Sequence, residues 1–88
     1  MNDDEVLYRI VNLATNEETN SSRDFTGKGR AYYVNGDIYE GYYRNGLRHG
    51  AGTYYYKKGH KYEGQWKENK KSGVGKMTFK KKGIYFGR

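Results

Sequence analysis

The same short element stands at three places in the chain: Tyr39-Glu40-Gly41, Tyr62-Glu63-Gly64 and Tyr85-Phe86-Gly87, each 23 residues after the last. Gly50-Ala51-Gly52 keeps the step, returning as Gly73-Val74-Gly75 with a forerunner at Gly27-Lys28-Gly29. Gly36 and Gly59 share it too, and the next turn glycine, Gly83, comes one residue late. A period this short constrains the fold strongly. One unit is too small to bury its own apolar face, so successive copies must lean on each other.

Within each unit the side chains alternate. Tyr39, Gly41 and Tyr43 share one face of an extended chain, as do Gly50, Gly52, Tyr54 and Tyr56. Tyr62, Gly64 and Trp66, then Gly73, Gly75, Met77 and Phe79, continue the pattern, with mostly polar residues between. A period of two is that of half-buried strands. Helix is a poor fit, since each glycine would cost about 1 kcal/mol there. Asn35-Gly36 and Asn45-Gly46 are hairpin turns by composition, and Asn69 takes the place of Gly46 one period on. Lys58-Gly59 and Lys82-Gly83 close the other hairpin ends. Strands are therefore expected at 29–35, 38–44, 50–57, 61–67, 73–81 and 84–88. The glycines Gly41, Gly50, Gly52, Gly64, Gly73 and Gly75 are expected to be the floor on which the rings of Tyr39, Tyr43, Tyr62 and Trp66 pack.

Tyr39-Glu40-Gly41-Tyr42-Tyr43-Arg44-Asn45-Gly46-Leu47-Arg48-His49-Gly50-Ala51-Gly52-Thr53-Tyr54 resembles the MORN (membrane occupation and recognition nexus) repeat almost position by position. Tyr62-Glu63-Gly64-Gln65-Trp66 with Gly73-Val74-Gly75 resembles a second copy. The resemblance covers residues 27–88: a partial unit at 27–37, full units at 38–60 and 61–83, and a partial one at 84–88. Asn69 in place of a glycine and Met77 in place of an aromatic depart from the family's pattern, and residues 1–26 do not match. The resemblance implies an all-β fold, an elongated twisted antiparallel sheet of stacked hairpins. It also implies a scaffold without catalytic activity or cofactor, found in membrane-associated and cytoskeletal assemblies and as an accessory segment of larger enzymes.

Residues 1–26 are expected to cap the stack. Val6 to Leu13 read as a strand paired with 29–35 or as a short helix, with β-branched residues favouring the strand. Ala14 to Asp24 read as a mobile polar loop.

Charge is divided unevenly. The chain carries +7, with a net −4 in residues 1–26 and +11 in residues 27–88. Basic residues keep the repeat: Lys57 and Lys58 map onto Lys80 and Lys81, Arg44 onto Lys67, and Arg48 onto Lys71. They are expected to form ridges along the two long edges, the denser one including Lys82. Such ridges suit an anionic phospholipid surface or a protein partner. Solubility and guarding of strand edges would call for the same lysines.

Tyr39, Tyr43, Tyr54, Tyr56, Tyr62, Trp66, Phe79 and Tyr85 form a ring-bearing face, read as the repeat core or as a groove for a peptide. The strand at 84–88 is an edge open to homodimerisation or to further repeats. Single-stranded nucleic acid is the competing partner, since such binders interleave cations with rings on a sheet. The rings are needed for packing, however, and no RNA-binding motif is present. Enzyme readings are thin. Gly73-Val74-Gly75-Lys76 lacks the leading glycine and the Ser/Thr of a phosphate loop. His49 and His60 stand without partner ligands, so no metal or catalytic residue is expected. With no cysteine, no apolar run of about 20 residues and an acidic start, the expectation is an intracellular, cytoplasmic protein, peripheral to a membrane or cytoskeleton at most.

Overall fold

The computed structural model describes residues 7–80, and the backbone of residues 83–87. Eight strands form a single antiparallel sheet: β1 (Leu7–Asn12), β2 (Glu18–Thr19), β3 (Gly27–Tyr33), β4 (Ile38–Arg44), β5 (Leu47–Tyr55), β6 (Lys61–Lys67), β7 (Lys70–Phe79) and β8 (Gly83–Gly87). Their order is β2-β1-β3-β4-β5-β6-β7-β8, so from β3 onward each strand lies beside its chain neighbour. The principal extents are 36 × 24 × 24 Å, with the long dimension half again the other two.

The alternation in sequence becomes two continuous rows across the sheet. Gly29 pairs with Gly41, Gly41 with Gly52, Gly52 with Gly64, Gly64 with Gly75, and Gly75 with Gly87. Beside it runs Ile10, Ala31, Tyr39, Tyr54, Tyr62 and Met77. The Tyr39 ring lies over the glycine row, where a Cβ on Gly41 would come within 2.6 Å of its hydroxyl oxygen and a Cβ on Gly52 would run into the same ring. Tyr62 lies the same way over Gly64, whose Cβ would stand 2.5 Å from the Tyr62 hydroxyl, and over Gly75. Each hydroxyl is held in place: Tyr39 donates to the carbonyl of Tyr42 (2.9 Å) and Tyr62 to that of Gln65 (3.2 Å). The expected floor is thus real for Gly41, Gly52, Gly64 and Gly75.

Gly50 and Gly73 do different work. A Cβ there would meet only Tyr42 or Gln65 at 3.8–3.9 Å, but their φ angles are +81° and +65°. They sit in bulges. Between the Gly41–Gly52 and Tyr43–Arg48 pairs, β5 carries two more residues than β4, and β7 does the same against β6 between Gly64–Gly75 and Gln65–Ser72. An insertion of two keeps the inward set inward, whereas one extra residue would flip it. The bulges also start β5 and β7 earlier than expected, at Leu47 and Lys70.

The turns show both outcomes. Asn45 and Gly46 (φ 51° and 83°) and Glu68 and Asn69 (φ 49° and 71°) are two-residue turns with both φ positive, as expected for tight hairpins. Asn35-Gly36 is not one of these. Only Gly36 is left-handed, and the Tyr33 amide donates to the Asp37 carbonyl (2.9 Å), closing a wider loop and ending β3 at Tyr33.

At the N-terminal end, β1 is the expected strand against β3, with Ile10 opposite Ala31. The stretch from Ala14 to Asp24 is not wholly loop. It contains β2, which pairs with β1, and it leads into a segment that docks on the 45–46 turn. There Gly46 donates to the Phe25 carbonyl (2.8 Å), Ser22 Oγ donates to the Gly46 carbonyl (3.0 Å), and Asn45 donates to Thr26 Oγ1 (2.9 Å). Phe25 packs on Tyr43 at 5.5 Å between ring centroids, and its ring and Ile10 cover Gly29 as Tyr39 covers Gly41.

Candidate functional site

The inward face is closed by its own rings. Tyr33, Tyr39, Tyr43, Tyr54, Tyr62 and Trp66 are buried with Ile10 and Ala31, and Tyr56 and Met77 pack against them. Trp66 stands edge-on to Tyr39 (5.3 Å) and to Tyr62 (5.5 Å), and its indole N–H donates to the Gly52 carbonyl (3.2 Å). Burial pushes the Tyr43 and Tyr39 phenols well above the ordinary tyrosine range, against a smaller opposing pull from the positive charge of Arg48. Of the expected ring set, Phe79 is half-buried against His60 at 5.4 Å, and the Tyr85 side chain lies outside the described residues. Tyr39, Tyr43, Tyr54, Tyr62 and Trp66 are core, as one of the two readings had it, rather than an open groove.

Arg48 overturns its assignment to a basic ridge. It is 2% exposed, enclosed by the rings of Trp66 (4.7 Å from guanidinium carbon to centroid), Tyr54 (5.5 Å), Tyr39 (5.8 Å) and Tyr33 (5.9 Å). Its amide donates to Asn69 Oδ1 (2.9 Å) and its Nη2 to the Asn69 carbonyl (3.0 Å). A guanidinium keeps its charge, and ring faces and carbonyl oxygens are what can hold it away from water. The signal was available: counting back by twos from Tyr54 puts Gly52, Gly50 and Arg48 on the inward face. The 23-residue step back from Arg48 finds Phe25, and the bond from Gly46 to the Phe25 carbonyl recurs from Asn69 to the Arg48 carbonyl (3.0 Å). Lys71, 23 residues after Arg48, also faces the rings, over Tyr62 (4.9 Å) and Tyr56 (5.3 Å), but it is exposed.

The remaining basic candidates lie at the hairpin ends. Lys57, Lys58 and Lys80 are exposed at one long edge. Lys57 lies along Gly36, with its amide donating to Asp37 Oδ1 (2.8 Å), and Lys80 lies along Gly59, with its amide donating to His60 Nδ1 (3.1 Å). Arg44 and Lys67 are exposed at the opposite edge. Lys81 and Lys82 fall outside the described residues. Asp37, unremarked in the sequence, also accepts from the Tyr54 hydroxyl (2.9 Å) and so ties this edge to the core. Among the described residues no group of three His, Cys, Asp or Glu side chains could hold a metal ion, and no helix is long and apolar enough to cross a membrane.

The family model for the MORN repeat matches residues 39–61 and 62–84, more than half of the chain. The chain belongs to the MORN-repeat family. Both matched units begin on the tyrosine that lies over the glycine row, one residue later than the units read from the sequence. MORN repeats are in general modules for contact with proteins or membranes. Among curated proteins, none matches the chain. In this MORN array the family's Tyr-x-Gly signature is the packing unit itself.

Proposed function

We propose that the chain is a non-catalytic interaction module that docks through its basic long edges on an anionic surface, whether an acidic protein or a phospholipid bilayer. The observation that carries this reading is the recurrence of Lys57 as Lys80, exposed at the same end of successive hairpins, each with its amide donating to the side chain at the equivalent position, Asp37 and His60. Two strands separate these equivalents, which spaces them by about 10 Å. Each lysine near anionic lipid contributes about 1 kcal/mol, so a row of them matters where one would not. An intracellular, peripheral location agrees with this. An open β8 edge would add homodimerisation or continuation of the stack.

Sedimentation with vesicles containing phosphoinositide, and pull-down by an acidic peptide, test the reading. Lys57, Lys58, Lys80, Lys81 and Lys82 changed together to glutamate should abolish retention in whichever arm binds. Retention unchanged by that reversal would overturn it.

A further inference from the structure

The face opposite the core carries a second set of rings. Tyr32, Tyr42 and Tyr55 alternate with the inward residues, and the last two are 49% and 42% exposed. Each is paired across strands with a cation: Tyr32 with Arg9, Tyr42 with Lys28, and Tyr55 with Lys61. The Arg9 guanidinium lies 4.4 Å from the Tyr32 ring centroid, and Lys28 Nζ lies 5.9 Å from that of Tyr42. None of these tyrosines belongs to the buried core, so packing does not account for them.

The charge on this face is one-sided. Its carboxylates among the described residues, Glu18, Glu40 and Glu63, are each bridged by a cation: Glu18 by Arg9 (3.5 Å), Glu40 by Arg30 (2.7 Å), and Glu63 by Lys76 (3.4 Å) and Lys61 (3.7 Å). Arg44, Lys67 and Lys70 extend the cationic surface to the strand ends, where Glu68 in the turn between β6 and β7 is the one acid beside them among the described residues.

We infer that this outward face binds single-stranded nucleic acid, with bases stacked on Tyr32, Tyr42 and Tyr55 and phosphates held by Lys28 beside Tyr42 and by Arg44, Lys67 and Lys70 at the strand ends. Single-strand binders need these two things together, ring faces open to solvent and cations beside them on a sheet. The inward rings cannot serve, since they are buried. Tyr32 and Tyr55 flank Ile38 across adjacent strands, about 10 Å apart, so each ring can take its own base. A flat bilayer would use the cations without needing the ring faces, and a duplex would hide its bases from them.

Fluorescence anisotropy of a labelled oligothymidine of about a dozen nucleotides, within the usual site size of such sheets, gives the test. The expected result is binding that weakens steeply with salt and exceeds that of duplex of equal length. Tyr32→Ala, Tyr42→Ala and Tyr55→Ala combined should weaken it at least about tenfold, since each stacked base is worth that order. Should that variant fail to fold, Lys28→Glu, Arg44→Glu and Lys67→Glu combined must abolish binding while the melting transition persists. No binding at low salt, equal binding to duplex, or tight binding by a folded tyrosine variant would each overturn the inference. So would binding to phosphatidylserine vesicles without any binding to oligonucleotide.

Discussion

The Arg48 guanidinium carbon stands 4.7 Å from the centroid of the Trp66 ring, and the two belong to successive hairpins. Arg48 opens β5 and Trp66 closes β6, so the contact locks one repeat onto the next. A single cation within reach of four rings is a stronger lock than one ring pair, because each ring face lowers the cost of keeping the charge from water.

Removing that cation should be costly. Arg48→Ala empties space among the rings and leaves the Asn69 backbone carbonyl without its Nη2 donor. We expect a loss of about 3 kcal/mol in urea denaturation, in line with other large-to-small changes in cores. Lys71→Ala, at the equivalent but exposed position, should cost under about 1 kcal/mol. Equal costs would show that enclosure of Arg48 contributes nothing.

Asn69 has two separable roles. Its φ of 71° needs a residue at ease in the left-handed region, and its side chain accepts from the Arg48 amide. Asn69→Gly keeps the first and loses the second, so about 1 kcal/mol should be lost. Asn69→Ala loses both and should cost a further 1–2 kcal/mol or so. Thermal melts of the pair should therefore rank wild type above Gly and Gly above Ala.

Alkaline pH should unfold the protein through its buried phenols. Tyr43 and Tyr39 have folded pKa values raised above the ordinary value of 10.0, first by burial. Their unfolded forms therefore release protons first. Stability is at its full value below about pH 10 and falls above it, by about 1.4 kcal/mol per pH unit for each phenol. Tyrosinate absorbance read beside a tertiary-structure signal gives the test. Tyr43 and Tyr39 should ionise only with the loss of tertiary structure. Ionisation of both phenols with the fold intact would contradict this.

Phe25 ties the cap to the array. Phe25→Ala should speed hydrogen exchange at the Gly46 amide, which donates to the Phe25 carbonyl, and leave the Asn69 amide unchanged. Uniform acceleration at both would mean that the cap and the repeats unfold as one unit.

Much of this architecture could be read from the chain because each repeat position has one structural duty. Tyr39 and Tyr62 must lie on glycine, so spacing alone placed them. Arg48 escaped because its type argues for the surface while its parity argues for the core. In the structure the alternation prevails over the usual exposure of arginine. At Asn35-Gly36 composition does not distinguish a two-residue turn from a wider loop that needs only one left-handed glycine. The outward tyrosines were invisible for a different reason. They break the polar pattern only at single positions, and only the strand register reveals that each faces a cation.

The most direct trial is a urea denaturation of Gly52→Val beside Thr53→Val. The two positions are adjacent, one beneath the Tyr39 ring and the other on the outward face between Glu40 and Glu63. Ring-on-glycine stacking predicts that the first variant loses several kcal/mol, about 3 or more, from overpacking, while the second stays within about 0.5 kcal/mol of wild type. Matching midpoints for the two variants would mean that the glycine row supports nothing, and the packing scheme would have to be abandoned.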